Sequence, residues 1–171
     1  MSTAVLTPAR TTPVQTVVVG AVGGAVAGMM MAAVQMAYGL ASASHTIWDA
    51  PMAIWAWVAG IENFGPPADH VAGIVLGLGG HMANSMMVGV GFALLMSYVV
   101  KARGALTAVM VGVLYGLGIW VAMRYVILPL NPGESALFTT ELVSPQWVWW
   151  LSHVVLGMTA GVWYLAVGRR R

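Results

Sequence analysis

Two histidines stand in otherwise apolar runs that can be laid on one another. "GGHMANSMMVGVGF" (Gly79 to Phe92) and "LSHVVLGMTAGVW" (Leu151 to Trp163) align His81 over His153, Met86 over Met158, Gly89 over Gly161 and Val90 over Val162. Imidazoles on two separate helices suit bis-axial ligation of a haem b iron, hydrogen bonding to a quinone, or hydrogen bonding that holds helices in register. The first two uses need both rings on one gap, and Gly79, Gly80 and Gly157 would leave space beside them. Histidine with methionine also suits Cu(I), but Met29, Met30 and Met31 run consecutively around a helix and cannot converge, so no metal ligand is assigned. The chain has no His-Glu-x-x-His helix, no Gly-x-Ser-x-Gly turn and no pair of intramembrane carboxylates. No catalytic residue is assigned, and the expectation is a protein that is not an enzyme.

The setting of these histidines is a chain of 171 residues, 60% hydrophobic and 7% charged, against about 25% charged in an ordinary soluble domain. That composition belongs to a membrane protein with the lipid bilayer as its first partner. Without cysteine there is no disulfide, thiolate metal site or iron–sulfur cluster. The formal charge of +2 is spread between segments with no basic patch, which excludes nucleic acid as a partner.

Four stretches are apolar for the roughly 20 residues that a spanning helix needs: residues 16–40, 71–100, 104–128 and 147–168. The second exceeds the bilayer core and should tilt, protrude or kink near Gly79 and Gly80. With four spans, Arg10, Lys101, Arg103, Arg169, Arg170 and Arg171 fall on one side and Asp49, Glu62, Asp69, Glu134 and Glu141 on the other. The positive-inside rule then makes both termini cytoplasmic, residues 1–15 a cytoplasmic tail and 169–171 a basic cytoplasmic end. A signal peptide ending at "ASASH" is the rival reading of the first span, whose apolar run is far longer than a signal core.

Polar residues within the spans fall at one level. Gln35, His81, Arg124 and His153 each lie about 16–21 residues, or roughly 24–32 Å, from the cytoplasmic flank. Asn84 and Ser85 lie about one turn below His81, and Tyr38 and Tyr125 lie near the layer. Because an unpaired polar group in hydrocarbon is costly, such a layer either holds the helices in register or lines a site. Arg124 is the costliest member and is expected to pair with an acid from a folded-back outer loop. A transport path would want ionisable groups at several depths, yet the inner halves carry only Ser97, Thr107 and Thr159.

Glycines four apart recur in every span: Gly20, Gly24 and Gly28; Gly73 and Gly77; Gly112 and Gly116; Gly157 and Gly161. In lipid, small residues at this spacing let backbones approach closely. The repeat also extends to the first and third spans, with Gly24 over Gly112, Gly28 over Gly116 and Met36 over Arg124. Two hairpins of one orientation, related by an axis along the membrane normal, form the parallel class of repeat. The expected fold is therefore an all-α, four-helix integral membrane bundle.

The outer connections are long and aromatic. In residues 41–70, Asp49 is expected to cap a short interfacial helix with Pro51 in its first turn. Trp48, Trp55, Trp57, Trp147, Trp149 and Trp150 gather on this side, as an aromatic belt or as a docking face for another membrane protein or a second copy. With "YVILPLNP" after Arg124 and "LSHVVLGMTAGVWY" after the tryptophans, the second half is similar to that of uncharacterised small four-span bacterial membrane proteins. The resemblance implies a bacterial inner-membrane protein and assigns no functional residue. Taken together, the residues favour a structural or accessory membrane component acting through its aromatic outer face. A small haem b or quinone electron carrier centred on His81 and His153 is the alternative, followed by a transporter or channel.

Overall fold

The computed structural model describes residues 12–101 and 104–167; Arg10, Arg103 and Arg169 to Arg171 lie outside them. Helix α1 runs Pro13–Ala41. It begins at a capping box in which Thr12 Oγ1 accepts from the Gln15 amide and Gln15 Oε1 accepts from the Thr12 amide. Helix α2, Asp49–Ala59, follows a short turn. Asp49 does not cap it: its carboxylate accepts from the Thr46 amide and hydroxyl and meets His45 at 3.3 Å, so it fastens the preceding turn instead. Helix α3, Val71–Leu94, stays α-helical through Gly79 and Gly80, and its irregularity comes later as a π turn over Leu95–Val100. No neighbour lies within 4 Å of a Cβ placed on Gly79.

Helix α4, Ala105–Ala122, passes into a π turn over Met123–Ile127 and a 3₁₀ turn over Leu128–Leu130. After the one-turn helix α5, Ala136–Thr139, helix α6 runs Gln146–Ala166. Four helical stretches, of 29, 30, 26 and 21 residues, are long and apolar enough to cross a membrane. At 1.5 Å per residue they measure about 30–45 Å, so the longer ones tilt or protrude. Their outward faces carry Val18, Met30, Leu114 and Val162, all exposed, as helices that are apolar all round do in lipid.

The spanning helices pack in the order α3, α1, α6, α4, with close contact at each of the three successive interfaces. Glycine explains two of them. A Cβ on Gly24 would overlap the Ser85 carbonyl and reach Gly89 at 2.9 Å, so α1 and α3 touch backbone to backbone. A Cβ on Gly112 would overlap the Gly157 carbonyl and reach the Gly161 amide at 3.3 Å, and one on Gly116 would overlap the His153 carbonyl. The glycines aligned by the internal repeat thus occupy equivalent crossings, Gly24 with Gly89 and Gly112 with Gly161. Gly73 and Gly77 serve another purpose, admitting α2: Trp55 lies 3.0 Å from a Cβ on the first, and the Pro51 carbonyl fills the place of one on the second.

Helix α2 is therefore docked against the bundle. Met52, Ala53 and Ala56 are buried, and the two alanines cluster with Leu137, Val143 and Trp149. Asn131 donates to the Trp57 carbonyl at 2.7 Å, tying the second long connection to the first. The two connections form a cap over one end of the bundle, the loop end, opposite the terminal end, where α1 begins and α6 finishes.

Candidate functional site

Beneath the cap lies a cavity of about 140 Å³. Its walls come from α3 (Gly80, His81, Asn84, Ser85, Val88) and α4 with its π turn (Ile119, Trp120, Met123, Arg124). Met31 of α1 and His153 and Leu156 of α6 close the back, and Ile54, Trp57, Phe138 and Trp149 form the roof. Unlike the other neighbouring helices, α3 and α4 make no extensive contact. Their main bridge is Tyr115, whose hydroxyl donates to the Val88 carbonyl at 3.0 Å while its ring meets Phe92 at 5.3 Å. Of that bridge only Val88 lines the cavity. Above it, Gly80 and Asn84 line the cavity and are also exposed, so it opens between α3 and α4 on a face directed at lipid.

Both sequence-predicted histidines line this one cavity, but they are held differently. His81 Nε2 reaches across α1 to the Gly28 carbonyl at 2.9 Å. The repeat-equivalent bond would join His153 to Gly116. Instead His153 Nδ1 turns to the Trp149 carbonyl of its own helix at 2.7 Å, and its Nε2 makes no hydrogen bond among the described residues. Ser85 is buried against Gly28, and Asn84 faces the opening.

Gln35 belongs to a different part of the layer. It is buried between α1 and α6, where Nε2 donates to Ser152 Oγ at 3.2 Å and Oε1 accepts from Ser144 Oγ at 3.0 Å. It faces a smaller void of about 30 Å³, shared with His81 and Trp149. The nitrogen and the oxygen of its one amide each have a serine partner, and it is a structural tie rather than a residue of the larger cavity. Tyr38 and Tyr125 stay out of the network, stacking edge-on against Trp147 and Trp120.

Arg124 corrects the expectation of an ion pair. The outer loop does fold back over it, but what it offers is the Thr139 carbonyl, which accepts from Nη2 at 3.4 Å. That carbonyl ends the one-turn helix α5 and has no intrahelical donor, a local reason for the pairing. No carboxylate forms an ion pair with Arg124 among the described residues. Its Nη1 is buried with no partner, as are the indole Nε1 atoms of Trp57 and Trp149. All three are donors, and all three belong to residues of the cavity wall.

The tryptophans are the residues least legible in the sequence. Trp147 and Trp150 are exposed, as a belt or docking face requires, but Trp57, Trp120 and Trp149 turn inward. Their alternation along "QWVWWLSH" carried the signal: positions 149 and 153 are one helical turn apart and share a face. The π turn that presents Arg124 had no sequence marker, though such turns recur at functional sites. Met31, too, lines the cavity, while Met29 and Met30 are exposed.

No family model matches the chain, and no curated protein or solved structure does so either.

Proposed function

We propose that this multi-pass protein binds a small, mainly apolar molecule that enters from the bilayer between α3 and α4. The observation that carries the reading is the cavity itself: about 140 Å³, walled mostly by apolar and aromatic side chains, with a few polar groups gathered at one end. Sites of that composition, between the helices of a bundle, are where small ligands bind. A void of about 150 Å³ takes one benzene ring, so the volume supports a single ring, such as a quinone head, and not a haem macrocycle. His81 is moreover already engaged with Gly28. The protein resides in a bacterial inner membrane with both termini cytoplasmic, as the basic residues at the terminal end support.

The test uses 1-bromo-4-butylbenzene, whose bromine quenches indole fluorescence, with purified protein in nanodiscs. Saturable quenching, lost in Gly80→Leu, is the expected result. A Cβ at Gly80 meets nothing closer than Ile54 at 3.8 Å, so the leucine has room to grow into the opening. Quenching that rises linearly in both proteins would mean simple partitioning and would sink the reading.

A second reading, an accessory subunit docked through its loop end, is favoured by the exposed Trp147 and Trp150 on successive turns of α6. Stoichiometric co-purification of a membrane protein, abolished by Trp147→Ala with Trp150→Ala, is the result it requires.

A further inference from the structure

We infer that the ligand of this cavity carries a carboxylate and that Arg124 selects it; the inference rests on the cavity being a binding site. Arg124 is the one charged residue in the cavity wall. A guanidinium at membrane depth is costly unless it is paired. The protein supplies it with a single backbone carbonyl at 3.4 Å, a long bond to a neutral acceptor. The usual escape, reaching out to headgroups, is not taken, because Nη1 is buried and without a partner.

The other buried wall atoms without a hydrogen bond point the same way, although the imidazoles, which donate to carbonyls through His81 Nε2 and His153 Nδ1, present their second ring nitrogens as acceptors. The other unpartnered buried atoms of the wall, Trp57 Nε1 and Trp149 Nε1, are N–H groups that can only donate. A wall with spare donors, a net positive charge and no carboxylate is complementary to an anion with several acceptor oxygens. A guanidinium fork fits a carboxylate in the two-bond manner that a neutral carbonyl cannot reproduce. The apolar remainder of the wall, including Ile119 and Leu156, receives the ligand's ring, and the gap beside Asn84 lets an alkyl tail trail into lipid. The chemical class is thus a hydrophobic carboxylic acid, one ring or a short chain in girth, rather than a neutral quinone.

The discriminating pair is 4-butylbenzoate and 4-butylbenzamide, matched in shape and different in charge, titrated against nanodisc protein by calorimetry with empty nanodiscs as blank. Hydrogen bonds to charged groups contribute enough for the benzoate to bind about tenfold tighter, the equivalent of about 1.4 kcal/mol. Arg124→Gln should bring the two ligands to equal affinity, and Arg124→Lys should keep part of the preference. Trp57→Phe should weaken the benzoate severalfold and the amide less. Equal binding of both compounds by the parent protein, in competition with the bromobenzene probe, would overturn the carboxylate inference while leaving the cavity a binding site. If neither compound nor the bromobenzene binds saturably, the binding reading itself fails, and this inference with it. The parent-protein comparison stands even if an Arg124 variant does not fold.

Discussion

The α1–α6 contact and the α3–α4 gap are the same interface under the internal repeat, yet one is closed and the other holds a cavity. Near the terminal end both are bridged by an aromatic side chain. Trp163 of α6 lies over Gly23 and donates to the Val19 carbonyl at 3.1 Å, and Tyr115 of α4 lies against Gly91 and donates to Val88 at 3.0 Å. Toward the loop end they part. The closed side has Gln35 bonded to Ser152 and Ser144. The alignment that sets Gly24 over Gly112 sets Gln35 over Met123, and the one that sets His81 over His153 sets Gly80 over Ser152. Met123 and Gly80 cannot make that hydrogen bond, and both line the cavity. A repeated scaffold thus holds a cavity where one of its two equivalent seams is left unstitched.

The largest effects should come where the two halves are alike. Gly24→Leu and Gly112→Leu each force a side chain into the backbone of the facing helix, which has no flexible atoms to withdraw. Each should destabilise by about 3 kcal/mol or more, read from unfolding in mixed detergent followed by circular dichroism. Tolerance of one substitution and not the other would break the equivalence of the two crossings.

Next in size is the stitch itself. Gln35→Leu leaves Ser144 without its acceptor and Ser152 without its donor, in a site where both serines are buried. A loss of about 1–3 kcal/mol is expected, whereas Met123→Leu on the open seam should change stability by less than about 1 kcal/mol. Equal losses would mean that Met123 carries structure and that the seam is less open than its geometry indicates. The histidines sharpen the contrast further. His81→Leu removes a bond between helices and should lower stability by about 1 kcal/mol, and His153→Leu removes a bond within one helix and should lower it by about half as much.

Legibility in the sequence followed physical kind. The helix crossings could be read because close backbone approach requires small residues, and Gly24, Gly112 and Gly161 announce it by spacing alone. The polar level could be read because in hydrocarbon it stands out by chemistry, and five of its six members, all but Gln35, do line one cavity. What those members touch could not be read. Arg124 bonds to a backbone carbonyl, which no residue type encodes, and Gln35 meets Ser144 across 109 residues of chain. Trp149 and Trp150 are neighbours of identical type, one buried and one exposed. Only the helix phase, set by packing on α1 and α4, separates the cavity-facing ring from the outward-facing one.

The smallest expected effect is the most direct test of why the seam is open. Gly80→Ser with Met123→Gln installs on α3 and α4 the residue types that close α1 against α6. The serine has room, since nothing lies nearer than Ile54 at 3.8 Å from the new Cβ, and Met123 already borders the same space. The transplanted pair lacks a counterpart of Ser144, so it should contribute only about 0.6 kcal/mol of coupling. A double-mutant cycle on unfolding free energy reads that coupling, and spin labels on Ala83 and Leu114, both outward-facing, should report a shorter α3–α4 distance. Bromobenzene quenching should then fall with the cavity. If the pair forms no coupling and the distance holds, the seam is propped open by the cap, with Trp57 and Phe138 wedged above it. The missing hydrogen bond would then be a consequence of the site and not its cause.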